Sequence, residues 1–86
     1  MSEGWEPTEW QHSVEAHQKM FGDGPDVIVA IQRIGKEFNV MSSAESRTSG
    51  PNETIHGTVA TLAEARELAG KERKHWDELL HDADTA

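Results

Sequence analysis

Two runs of β-prone residues joined by only two others constrain this chain more than any other feature. Val27 to Ile34 reads VIVAIQRI, Glu37 to Ser43 reads EFNVMSS, and Gly35-Lys36 alone separates them. β-Branched residues suit a pleated backbone, and runs this short between turn signals do not make ordinary helices. A two-residue connection makes them a tight antiparallel hairpin, and a glycine at its first central position suits a type II′ turn. That turn pairs Ile34 with Glu37, Arg33 with Phe38, Gln32 with Asn39, Ile31 with Val40 and Ala30 with Met41. Because side chains alternate, Val27, Val29, Ile31, Phe38 and Val40 share one face, with Arg33 near the turn. Ile28, Ala30, Gln32, Ile34, Asn39 and Met41 share the other. The first face reads as core.

With 86 residues the chain supports one core, since domains this small bury only about 60% of their unfolded surface. Thr8-Glu9-Trp10-Gln11 has the form of a capping box. The spacing after it predicts a helix over about 9–21, with Trp10, Val14, His17 and Phe21 on one arc. The stretch GDGPD, Gly22 to Asp26, ends it. TIHGTVA, Thr54 to Ala60, follows a small, polar loop and reads as a third strand, with Gly57 marking a bulge or a close backbone approach. Thr61-Leu62-Ala63-Glu64 is a second capping box, opening a helix that runs to about Leu80. The expected fold is a single small α+β domain, helix-strand-strand-strand-helix, with a three-stranded antiparallel sheet packed on two helices. Residues 1–7 are expected as an N-terminal arm, 8–81 as the domain and 82–86 as a flexible tail.

This order of elements, with the tight hairpin between the first two strands, resembles the topology of double-stranded RNA-binding domains over residues 8–80. Those domains open their second helix with a lysine-rich segment that grips phosphates across the RNA major groove. The matching segment here, TLAEARE, sets Glu64 and Glu67 against the single Arg66. The resemblance therefore implies the fold without the RNA-binding surface, and a shared fold does not carry function with it.

Charge narrows the functional classes. The formal net charge is −8, with −5 in residues 1–26, balance in 27–60 and −3 in 61–86. Nucleic-acid binding draws on bases that neutralise phosphates, so the balance opposes a general DNA or RNA binder and disfavours anionic membranes. No apolar run approaches the roughly 20 residues that span a bilayer. The acidic start MSEGWEPTEW has neither the basic beginning nor the apolar centre of a signal peptide, so a cytoplasmic location is expected. With no cysteine there are no disulfides, thiolate metal sites or thiol nucleophiles.

Glu72 is the anomaly of the second helix. It falls inside the arc of Leu62, Ala65, Leu68, Ala69, Trp76, Leu79 and Leu80, where an ionised carboxylate needs a partner or a gap in the packing. Either Arg33, on the core face near the hairpin end, pairs with it as a structural ion pair, or the helix outruns the sheet and Glu72 meets solvent. Arg66 and Arg73 line one edge of the arc, where their stems cover apolar surface, and with Lys74 they offer an alternative contact to phosphates or an acidic partner. His75, Glu78 and His81 are spaced by threes, but at an acidic, fraying end that reads as a solvated face. His17, on the apolar arc, reads as a partly buried neutral imidazole. There is no glycine-rich phosphate loop, no supported Ser-His-Asp set and no pair of carboxylates in an evident cleft. No catalytic residue, metal or cofactor is therefore assigned, and no enzyme is expected.

What remains is the second sheet face. Ile28, Ala30, Ile34 and Met41 would form an apolar patch interrupted by Gln32 and Asn39, and such patches mark protein interfaces. The expectation is a small acidic, non-enzymatic interaction or regulatory module, a homodimer or the receiver of a protein partner, of the kind found as bacterial or phage accessory proteins. Folding of the N-terminal SEGWEP back over that face is the structural alternative. The functional alternatives are a nucleic-acid binder using Arg66, Arg73 and Lys74, and an acidic DNA mimic that inhibits a nucleic-acid-binding protein.

Overall fold

In a computed structural model of the chain, residues 4–10, 12–21, 25–46, 50 and 52–85 are described, the last five without their side chains. Five strands and one helix follow in order: β1 Glu6–Pro7, β2 Ser13–Met20, β3 Asp26–Ile34, β4 Glu37–Glu45, β5 Asn52–Val59 and α1 Leu62–Thr85. The strands form one antiparallel sheet in the order β1-β2-β3-β4-β5, and α1 packs across one face of it.

The hairpin has the expected register, from Ile34 opposite Glu37 to Ala30 opposite Met41, and it continues to Asp26 opposite Glu45. Gly35 holds φ at 62°, the left-handed region in which a primed two-residue turn needs a residue without a Cβ. β5 pairs with β4, and a bulge opposite Val40 and Met41 leaves His56 as the extra residue between Gly57 and Ile55. At Gly57 the helix comes close: a Cβ there would lie 3.1 Å from Leu68 Cδ2.

The expected three-stranded sheet on two helices, and with it the likeness to double-stranded RNA-binding domains, is corrected by residues 6–20. Among the described residues of that stretch, which leave out Gln11 of the expected capping box, no helix forms. Glu6 and Pro7 pair with Gln18 and His17, and β2 pairs along β3 from Ser13 to Met20 with a bulge near Val14. The physical reason lies in two competing periods. Val14, Ala16, Gln18 and Met20 alternate with Glu15, His17 and Lys19, which fits a strand as well as the helical arc. Adding β2 to the open edge of β3 satisfies a row of backbone groups that would otherwise stay unpaired. The helical arc is consequently split: Trp10 packs on the face away from α1, Phe21 on the face beneath it.

α1 begins with the N-cap half of its expected capping box, Glu64 bonding the Thr61 hydroxyl rather than the Thr61 amide. The Glu64 amide donates to Thr61 Oγ1 at 3.1 Å, and that hydroxyl donates to Glu64 Oε1 at 3.0 Å, satisfying a helix-start amide. The helix then continues unbroken through Gly70 to Thr85. Ala65 and Ala69, both buried, let its axis approach the sheet, and Val27, Val29, Ile31 and Val40 form the floor against them. Trp5 and Phe21 close this core, edge to face at 6.0 Å between centroids. The segment expected as an arm thus supplies both a strand and a core residue. No helix is long and apolar enough to cross a membrane among the described residues.

Candidate functional site

The direction of α1 decides where its charged residues land. It starts beside the hairpin end of the sheet, where Phe38 pairs with Val59. It then runs antiparallel to β5 and alongside β2, since Leu68 meets Gly57, Arg66 meets Glu15 and Asp77 meets Lys19. Glu72 is ten residues beyond Leu62, about 15 Å further along the axis. Arg33 stays at the turn, exposed, with its Nε donating to the Gly35 carbonyl at 3.2 Å. The Arg33–Glu72 pair is therefore not formed. The partner of Glu72 is His56, whose Nδ1 lies 3.4 Å from the Glu72 carboxylate while its Nε2 is 2.7 Å from Ser42 Oγ.

Ser42, His56 and Glu72 thus stand in the hydroxyl-imidazole-carboxylate order of a hydrolytic triad, a set that sequence spacing did not reveal. Two signals pointed to it: a carboxylate within an apolar arc, and a histidine beside the glycine of a bulged strand. Ser42 is only 2% exposed, beneath the helix and closed to a substrate. As it stands, the arrangement satisfies polar groups within the core.

On the other flank of α1, β2 presents Glu15, His17 and Lys19. Glu15 accepts from Arg66 Nε at 2.8 Å and from Arg66 Nη2; this bond, first, and the charge of Glu15 raise the Arg66 pKa above its usual value. Asp77 accepts from Trp5 Nε1 at 3.0 Å and from Lys19 Nζ at 2.6 Å. Arg73 is different. Burial pushes its pKa down against the pull of Glu15 and Asp77, and its Nε is buried with no hydrogen-bond partner among the described residues. His17 is held below the usual histidine value by burial first and by Arg73 second.

The face away from α1 is crossed by rows of neighbouring side chains. Ala16, Ala30, Met41 and Ile55 make an apolar row, flanked by Gln18, Ile28, Ser43 and Glu53, then by Met20, Asp26 and Glu45. Trp10 lies over the sheet here, packed with Ala16, Ala30, Met41 and Ile28. Its carbonyl is fixed by the amide and hydroxyl of Ser13, at 3.0 and 2.6 Å. Between Trp10, Met20 and Ile28 and the acids Asp26, Glu45 and Glu53 a groove of about 250 Å³ opens. Lys19 also borders it but directs its ammonium to Asp77. No described residue forms an ion pair with these three acids, all exposed.

Of the four residues expected as an interface, Ala30 and Met41 are buried within the chain itself, Ile28 is half-buried in the groove and Ile34 is 54% exposed at the hairpin end. Of SEGWEP, Ser2 and Glu3 lie outside the described residues; its Trp5 lies on the opposite face, and Trp10 packs on this one. Arg66, Arg73 and Lys74 do not form one outward basic surface: Arg66 is paired, Arg73 turns toward the sheet and Lys74 alone is exposed without an ion pair. Among the described residues no three His, Asp or Glu side chains stand together as metal ligands; the His81 side chain lies outside them. Neither family models, nor curated proteins, nor solved structures gave a match to the chain.

Proposed function

We propose that this chain is a small acidic, non-enzymatic protein-interaction module that takes a basic segment of a protein partner into the groove under Trp10. One observation carries the reading: an aromatic wall and an apolar floor meet three carboxylates that no described cation neutralises. Asp26 and Glu45 are direct cross-strand partners, an opposition of like charges that costs stability unless a cation joins them. A lysine or arginine side chain suits such a place, its stem on Ile28 and Met20, its charge between carboxylates and the indole face. The net charge of −8 adds long-range attraction for a basic partner. A second copy of the chain is the poorer occupant, because face-to-face association would bring two sets of these acids together.

Titration of the protein with a short arginine- and lysine-rich peptide, followed by backbone NMR, tests this. The expected result is a saturable response centred on Trp10, Met20 and Ile28 that weakens as salt rises. It should be lost in Asp26→Asn/Glu45→Gln and kept in Glu37→Gln/Glu67→Gln, which removes the same charge elsewhere. Equal weakening by both double variants, or light scattering that shows a dimer dissociated by Ile28→Asp, would sink the proposal.

A further inference from the structure

We infer that the cleft between β2 and α1, on the opposite face from the groove, binds a single oxyanion of phosphate or carboxylate size on Arg73 and His17. The cleft measures about 150 Å³ and is lined by Glu15 and His17 from β2, Val29 and Ile31 from β3, and Arg66, Ala69 and Arg73 from α1. Its charged groups are unequally committed. Arg66 and Glu15 bond each other at the more exposed rim, and Asp77, the other nearby carboxylate, is occupied by Trp5 and Lys19. Arg73 forms no ion pair among the described residues, and its Nε is a buried donor without an acceptor among them.

A donor shut away from solvent without an acceptor costs free energy that a bound acceptor would recover. A guanidinium fork is matched by two oxygens of one anion, and an imidazole beside it supplies a further donor. The volume limits the guest. A water occupies about 30 Å³ in the liquid, so the cleft holds a group the size of a few waters, a phosphate or carboxylate but not a nucleotide. The apolar floor of Val29, Ile31 and Ala69 offers a bound ion no hydrogen bond, so its oxygens depend on Arg73 and His17, while the Glu15 charge at the rim is offset by its bond to Arg66. His17 is held below the usual histidine value by burial first and by Arg73 second, with Glu15 acting in the opposite sense; an anion bound beside it would raise that value.

The full-length chain, titrated with inorganic phosphate and separately with acetate against chloride at matched ionic strength, reads this directly through the Arg73 Nε–H and His17 ring signals. A saturable shift of the Arg73 signal with phosphate or acetate, a raised His17 pKa and no saturation with chloride are expected. Phosphate alone saturating would identify a phosphoryl guest, acetate alone a carboxylate. Arg73→Gln should weaken binding at least about tenfold while Lys74→Gln changes it less than about twofold. If Arg73→Gln does not fold, Arg73→Lys, which keeps the charge and loses the fork, replaces it with the His17 ring as readout. An unmoved Arg73 Nε–H, an equal response to chloride, or undiminished binding in the Arg73 variant overturns the inference.

Discussion

A hydroxyl enclosed in a core must find a partner, and Ser42 finds His56 2.7 Å away. Leaving a buried polar group without its partner costs about 1–3 kcal/mol, more than the net worth of the bond itself. His56→Ala strands both the Ser42 hydroxyl and the Glu72 carboxylate, so it should lower unfolding free energy by about 1–3 kcal/mol. Ser42→Ala removes a group together with its need and should cost less. Urea unfolding of the two single variants and the double one measures the coupling; additive losses would show that the contact is energetically idle. The carboxylate end of this chain was legible in the sequence, because Glu72 sits among apolar neighbours on a helical projection. Its partner was not. Arg33 is on the correct sheet face, but choosing between it and His56 requires the direction of α1 and the bulge that turns His56 toward the helix.

At the level of elements, the β3–β4 hairpin and the start of α1 were readable because each rests on contacts a few residues apart, Gly35 at the turn and Thr61 with Glu64 at the cap. β2 was not, because nothing local distinguishes its alternating pattern from a helical arc. The strand's inward side carries Glu15, His17 and Lys19, which reads as solvent-facing until α1 supplies Arg66 and Asp77 opposite them. The same dependence explains the candidate groove, which exists only because Trp10 folds over rows built from four different strands. Within α1, Gly70 is a local weakness rather than a packing requirement. A Cβ there would meet only Arg73 Nη2, at an ordinary 3.8 Å. Gly70→Ala should therefore stabilise the protein by about 1 kcal/mol, the difference in helix propensity between the two residues. A loss of stability by thermal or urea unfolding would mean that the glycine serves a contact or motion other than helix continuity.

Across the whole molecule, the start of the described chain and α1 are joined through Asp77, which bonds Trp5, just before β1, across 72 residues of sequence and Lys19 of β2 across 58. Lys19 also lies 5.0 Å from the centroid of the Phe21 ring, so the clasp links the segment leading into β1, β2 and α1 at the end of the sheet remote from the hairpin. Its residues are partly exposed, at 24% and 33% for the Lys19 and Asp77 side chains, so screening reduces the ionic part. The Trp5 bond, more sheltered, carries the rest. Closing so long a loop is entropically costly before other contacts exist, and such a contact forms late in folding. A bond made after the rate-limiting step slows unfolding and leaves the folding rate alone. Asp77→Ala should thus raise the unfolding rate by roughly tenfold, equivalent to about 1.4 kcal/mol, with little change in folding. Asp77→Asn, which keeps an acceptor for Trp5, should lose less, and salt should narrow its difference from wild type. Hydrogen exchange gives the structural counterpart: the Thr8 amide, bonded to the Ala16 carbonyl, should lose protection in Asp77→Ala while β4 keeps its own. A slower folding rate in that variant would place the clasp in the folding nucleus and reverse the order in which the two ends of the chain are joined.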